Sequence, residues 1–400
     1  MELYYEIIVS EICGNQNNRI IMTKVLVVAT SRKTRGGITS VVKAHETGEQ
    51  WKKYHCRWIE THRDGPAWRK IWYFIKAYIL FFFMVPFCDL VHIHVASYSS
   101  LKRKRHFLRL AKLWRKRTIA HFHPHKPEVV FEKRTQKEYY DFFNAVDTII
   151  VLSPQWKRWI IESLIEHKEL ELYHLDNNPK DKLYSVDGLT GNGFIDKIQI
   201  VYNPCPTVER GIPDHSKKYI LFAGTIYYRK GFDTLIKAFG RIAKKYPDWK
   251  VIIAGNPKEE KDAILMRVLP KELDIEDKIE YPGWVIGEEK ERLFRNCSIF
   301  CLASYQEGFP MAVLDAWAYG IPCVVTPAGG IPDIAVDGKN VLMFEYGDDK
   351  MLAKQLDRMM SDEKLRTDIA KESIHLSDVT FNVNNINRQI GDIYKSIIGK

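Results

Sequence analysis

The chain has 400 residues, enough for two domains of ordinary size, and its 46% hydrophobic and 12% aromatic content can fill substantial cores. A formal charge of +10 points to anionic partners without choosing among nucleic acid, membrane lipid and phosphorylated substrate. Seven cysteines, an odd number without CxxC spacing, argue against a disulfide framework and read as small buried hydrophobes in a reducing compartment.

In chain order, residues 1–21 contain Glu2, Glu6 and Glu11 and no cleavable apolar core, so they do not read as a signal peptide. Met22 reads as a fresh start, which leaves 1–22 as an N-terminal extension. The run 24–29 is a first strand, followed by Arg35-Gly36-Gly37-Ile38 and a helix. Apolar strands are expected again at 89–94, 117–123, 147–153 and 198–204, closing a first domain at 23–205. Residues 176–197, rich in Gly, Asn and Asp, read as a flexible insertion, and 205–216 as a linker. A second domain, 206–375, repeats the strand–helix alternation to about residue 345, and 376–400 holds a last helix at 381–398. Such alternation demands a doubly wound parallel sheet.

Two segments of the first domain invite a membrane reading. Residues 71–88 are almost continuously apolar and meet the minimum length of a span. They read as a buried helix, as a membrane-docking helix or as a span, and a span would disrupt the order of the sheet. Residues 102–117 carry nine Lys or Arg and no acid, interleaved with Phe107, Leu108, Leu110, Leu113 and Trp114. This is a basic amphipathic helix, either a solvated face or a contact for an anionic surface.

The second domain holds the chemistry-bearing motifs. The run 219–235 is a strand, a loop with Gly224 and the paired cations Arg229 and Lys230, then Gly231 and a helix. After the apolar strand 298–303, Glu307 lies in a loop and Asp315 follows eight residues later, about two turns into a helix that Pro310 starts and Gly320 stops. A strand at 321–326 and the Gly-rich turn 326–334 complete a βαβ unit, whose ligand crevice lies at the carboxyl ends of its strands. Amides at the helix start suit hydroxyls and phosphates; Gly308, Phe309 and Met311 can offer theirs, whereas Pro310 has none.

In this order the segments resemble the retaining, metal-independent glycosyltransferases of family 4, over roughly residues 23 to 395 and most specifically from 219 to 345. The acids match that family's Glu-x7-Glu signature, with Asp315 in the second position. The resemblance implies an α/β chain of GT-B fold: two Rossmann-like doubly wound domains facing across a cleft, the final helix returning to the first domain. It implies that Glu307 holds the donor sugar and Asp315 the ribose. Asp is one methylene shorter than Glu, which makes its reach about 1.5 Å less. The family's Arg after the first Gly is here Thr225, so Arg229 and Lys230 become the clamp on the departing diphosphate. Gly36, Gly37 and Gly224 let backbone approach the donor closely.

His121, His123 and His125 alternate as a metal set would, but the family places one His here against the sugar; His123 at the strand end is the choice, with His125 in reserve. The base is expected near Gly283-Trp284-Val285 and Lys290, without separating uridine from guanosine donors. The implied reaction moves a hexose-type sugar from a nucleotide diphosphate donor, with no metal or other cofactor. The implied acceptor is a lipid-linked saccharide at the inner face of a bacterial plasma membrane, as in capsule or O-antigen assembly, and the protein would sit peripherally on that anionic surface. Alternatives are a GT-B nucleotide-sugar epimerase and a non-catalytic membrane- or anion-binding adaptor. Nothing resembles a base-reading module, so nucleic acid is not an expected partner.

Overall fold

Strands such as VLVVA and LVHIHV are buried on both faces, a pattern satisfied only between two layers of helices. In the computed structural model, which describes residues 24–168, 193–210 and 217–399, they form two parallel six-stranded sheets. The extension 1–22, most of the insertion and part of the linker read from the sequence lie outside the described residues. The first sheet comprises β1 (Val25–Ala29), β2 (Arg57–Glu60), β3 (Leu90–Val95), β4 (Arg117–Phe122), β5 (Thr148–Val151) and β6 (Ile198–Ile200), in the order β2-β1-β3-β4-β5-β6. The second comprises β7 (Tyr219–Ala223), β8 (Lys250–Ala254), β9 (Ile279–Gly283), β10 (Ile299–Leu302), β11 (Cys323–Val325) and β12 (Leu342–Met343), in the order β12-β11-β10-β7-β8-β9. Strand order reverses between β1 and β3 and between β7 and β10. These are the switch points at which α/β sheets bind ligands. The architecture is the expected one, two doubly wound domains facing across a cleft.

The last helix, Val383–Ile398, lies on the first sheet. Its Ile386, Ile390 and Tyr394 recur every four residues and pack with Val25, Val27 and Ile119. Asn387 sits on the same face, where its Oδ1 accepts from Gln50 Nε2 at 3.0 Å and pairs with His45 Nδ1 at 2.8 Å. Aromatic rings join the domains: Phe309 lies 5.4 Å from Tyr202 and 5.8 Å from Phe381, centroid to centroid.

The apolar segment does not form a buried helix. Helix Ala67–Met84 buries only Ala77 and Phe81 fully, and leaves Trp68, Ile71, Trp72, Ile75, Phe82 and Phe83 exposed. It is the outer crossover between β2 and β3, so a single stripe meets protein, where Phe74, Tyr78 and Phe81 pack on Phe107. The chain returns to the same sheet at its far end, which orients the helix along the domain.

The basic helix, Tyr98–Leu113, also differs from a uniform cationic face. Arg105 pairs with Glu138 at 2.6 Å and Lys112 with Asp147 at 2.7 Å, while Lys102 and Arg109 are exposed. Lys104 is 1% exposed and its Nζ donates to Thr61 Oγ1 at 2.6 Å, a hydroxyl in place of a carboxylate. Burial drives its ammonium well below the usual lysine range, with Arg103 adding to the effect. A Lys104→Met substitution keeps the volume and removes this strained charge, and Thr61 retains its bond to the Ala29 carbonyl. It is expected to stabilise the chain by about 1–3 kcal/mol in thermal or urea unfolding; a loss of stability would show that the buried amine is well solvated by its surroundings.

Candidate active site

Between the domains lies a cavity of about 770 Å³, within the range of small-molecule sites. Its floor is the loop that leaves β10. Glu307 is only 8% exposed there, and its Oε1 takes two donors, Lys230 Nζ at 2.5 Å and Ser304 Oγ at 2.7 Å. Thr326 Oγ1 fixes that turn by donating to the Ser304 carbonyl at 2.6 Å.

Lys230 ends a single 3₁₀ turn, Tyr228–Lys230, which Gly231 terminates with φ 69°. A Cβ on Gly231 would lie 2.0 Å from the Ala303 carbonyl oxygen. Only glycine allows this turn to press against the end of β10, and that approach sets Lys230 over Glu307. Arg229 goes elsewhere: its Nε donates to Tyr228 Oη at 3.2 Å, and it is absent from the residues lining the cavity.

The acidic loop is also held from the first domain. Trp156 Nε1 donates to the Gly308 carbonyl at 2.8 Å, and Asn203 Nδ2 to the Phe309 carbonyl at 3.2 Å. A Cβ on Gly308 would stand 1.8 Å from the Pro124 carbonyl oxygen. The Phe309 ring is committed to packing, so only its backbone can serve a ligand. Pro310 caps helix Met311–Ala318 and does not begin it, which puts Asp315 little more than one turn from the start, nearer than the spacing suggests. The first-turn amides of Met311 and Ala312 face no preceding turn and border the cavity.

Asp315 Oδ2 receives Lys290 Nζ at 2.7 Å, so the two residues assigned separately to ribose and base form one ion pair. Burial pushes the Asp315 carboxyl up, and Lys290 opposes the shift. Gly224 and Val285 also line the cavity. From the first domain, Gly36 leaves open space where a Cβ would stand, and Gly37 opens helix Gly37–Glu46 where a Cβ would just reach van der Waals contact with the Met311 side chain. His123 lines the same space; its Nε2 lies 2.9 Å from His94 Nδ1, and burial holds its pKa down to about 3. His125 borders it too, lowered first by burial.

Sequence reasoning missed several contributors. Arg35 lies over the Trp284 ring at 5.2 Å, closing the mouth from both domains, and Lys33 and Lys43 add cations to the wall. Arg35 stood beside the chosen glycines and Ser304 three residues before the chosen acid, so proximity to a motif was the available signal. Asn203 carried none. A Gly308→Ala change is expected to cost about 1–3 kcal/mol by overpacking and to widen the particle in small-angle scattering; an unchanged scattering profile and stability would show that Pro124 does not restrain the loop.

Comparison with known proteins places these features in a group. Residues 209–375 match the family model of glycosyl transferases group 1. An uncharacterized glycosyltransferase of Haemophilus influenzae is 32% identical over 162 residues, 40% of this chain and 44% of that one. Mannosylfructose-phosphate synthase of Agrobacterium fabrum is 25% identical over 288 residues, 70% of this chain and 60% of that one. The alignments thus span about half the length of these curated relatives. The crystal structure of Anabaena HepE in complex with UDP-glucose superposes with a TM-score of 0.69 at 15% identity, covering 93% of this chain and 99% of that one. The last likeness establishes the GT-B fold, and together the matches support a GT-B glycosyltransferase of group 1.

Proposed function

We propose that the protein is a retaining hexosyltransferase of family 4 type, moving a sugar from a nucleotide diphosphate donor to a lipid-linked saccharide in surface polysaccharide assembly. The observation that carries this reading is the Lys230–Glu307–Ser304 cluster at the end of β10, facing Gly36, Gly37 and His123 across the cavity. HepE holds UDP-glucose in a related frame, which supports a nucleotide-sugar donor.

In this reading the donor diphosphate draws Lys230 away from Glu307. The ammonium then faces the oxygens on which charge grows as the bond from the sugar carbon to phosphate breaks. The freed Glu307 carboxylate accepts hydroxyl protons of the sugar and fixes its position. Asp315, relieved by Lys290, does the same for the ribose, and the amides of Met311 and Ala312 add positive potential at the helix start. His123 stays neutral and contacts a sugar hydroxyl without placing a second charge beside the developing cationic ring. With the donor bound, Glu307 is engaged by sugar hydroxyls and Asp315 by the ribose, so neither is set up as the nucleophile of a double displacement. The acceptor hydroxyl therefore attacks on the face the phosphate leaves. A phosphate oxygen takes its proton as the new carbon–oxygen bond forms and configuration is retained. Lys230 and the surrounding cations supply the positive charge, so this step calls for no metal.

A panel of uridine and guanosine diphosphate sugars, followed by nucleoside diphosphate release and by the anomeric signal of the product, tests the activity. Free epimer without transfer would instead favour an epimerase, and donor binding without turnover an adaptor. Lys230→Ala is expected to lower turnover by about 2–4 kcal/mol of transition-state stabilisation while the fold survives. Near-normal turnover in the folded variant would remove Lys230 from the mechanism.

The acceptor reading rests on the exposed helix Ala67–Met84. Within the 21-residue stretch 67–87, an 18-residue window has mean hydropathy 1.5, and only 17% of that window is buried. His106 packs against Phe74 and Tyr78, so the exposed Lys102 and Arg109 border the apolar stripe. Apolar insertion and attraction to anionic lipid would act together at such a face, making the protein peripheral on the cytoplasmic leaflet. Binding to phosphatidylglycerol vesicles is expected to weaken with salt, to fall at least tenfold with Trp72→Ser plus Ile79→Ser, and to spare hydrolysis of soluble donor. Equal binding to neutral vesicles, or none to either, would overturn the docking face.

A further inference from the structure

The face of the first sheet beneath the cleft holds a ladder of imidazoles for which the proposed reaction has no use beyond its top rung. His92 and His94 alternate on β3, and His94 stands directly beside His121 of β4 in the parallel register. One ring nitrogen from each of these three histidines lies within 4.8 Å of the others. Ring centroids are 4.5 Å apart for His92 and His94, 4.8 Å for His94 and His121, and 5.3 Å for His92 and His121. All three are at most 1% exposed. Buried polar atoms normally find partners, yet Nε2 of His94 and Nε2 of His121 have none, and neither has Nε2 of the neighbouring His45.

We propose that His92, His94 and His121 form a buried site for one divalent transition-metal ion of the zinc or nickel class, with His45 as a fourth ligand. An all-imidazole set suits those ions, and in tetrahedral geometry nitrogen–metal distances of about 2.0–2.1 Å put ligand atoms roughly 3.4 Å apart. From the observed spread of up to 4.8 Å, the rings close on an ion by turning their nitrogens toward one another. The outer partners are those a ligated imidazole requires, each holding the nitrogen that does not bind. His92 Nδ1 meets Tyr394 Oη at 2.7 Å, His94 Nδ1 meets His123 Nε2 at 2.9 Å, and His45 Nδ1 meets Asn387 Oδ1 at 2.8 Å. An amide oxygen only accepts, so His45 carries its proton on Nδ1 and presents a lone pair at Nε2. The contact of His92 Nε2 with His121 Nδ1 at 3.2 Å pairs two nitrogens with no carboxylate between, and a cation would replace it.

Such an ion would tie β3 and β4 to the last helix through Tyr394 and through His45 and Asn387. It would also reach the cleft. Metal on His94 Nε2 forces the His94 proton to Nδ1, where it is donated to His123 Nε2, so that His123 keeps its own proton on Nδ1. Only this effect on His123 rests on the sugar-transfer reading; the site does not.

The test uses the untagged full-length chain. Zinc titrated against a chromophoric chelator is expected to bind at one equivalent with submicromolar affinity, and cobalt to give the intense visible bands of a tetrahedral nitrogen site. His94→Gln and His121→Gln should each weaken binding at least tenfold, whereas His375→Gln on helix Glu363–Asp378 should not. Should the ladder variants fail to fold, X-ray absorption of the cobalt-loaded wild type counts the imidazoles directly. Absence of stoichiometric binding, affinity indifferent to both ladder substitutions, or cobalt surrounded by oxygen alone would overturn the site and leave buried water as the partner of the orphan nitrogens.

Discussion

The arrangement depends on the hydrogen bonds that cross the interdomain boundary to the acidic loop, from the Trp156 indole to the Gly308 carbonyl and from Asn203 to the Phe309 carbonyl. They hold the loop carrying Glu307 to the domain that supplies Gly36, Gly37 and His123. The loop fits only because residue 308 has no side chain, since the Pro124 carbonyl occupies the place where a Cβ would stand. The residues lining the cavity are distributed over two sheets, and neither sheet encloses it alone. Packing of Phe309 between Tyr202 and Phe381 adds the apolar contact that makes this approach rigid.

Within that frame the charges are stored as pairs. Lys230 with Glu307 and Lys290 with Asp315 each neutralise one another in a cleft that excludes much of the water. Half-buried pairs of this kind add little stability, because desolvation offsets much of the attraction. In the proposed reaction their value lies in exchange. A donor brings an anionic diphosphate for the lysines and hydroxyl protons for the carboxylates, so both partners of each pair can be satisfied again when the pair separates. A site prepared in this way charges little reorganisation to the reaction itself.

Much of the fold was legible because parallel strands buried on both faces leave continuous apolar runs. The segments expected at 24–29, 89–94 and 117–123 appear as β1, β3 and β4, with ends displaced by a residue or so. The short β2 at Arg57–Glu60, half polar and flanked by charge, left no such run. That Glu307, Asp315, Lys230 and the glycines would border one cavity followed from the family resemblance of their motifs, since a tight loop between strand and helix fixes its own geometry. What was hidden depends on distant neighbours. Nothing local in a run of basic residues marks Lys104 as the one turned inward. Nothing in an apolar helix reveals that only one stripe finds protein. The alternation of His92 with His94 and of His121 with His123 was visible, but their meeting depends on the register of β3 with β4.

The central claim is that the Lys230–Glu307 pair separates to receive the donor. A crystal structure of the chain with a non-hydrolysable nucleotide diphosphate sugar examines it most directly. The account predicts Lys230 Nζ on a diphosphate oxygen, Glu307 on sugar hydroxyls, and the sugar between β10 and His123. A donor bound with the Lys230–Glu307 contact intact, or seated outside this cleft, would contradict it.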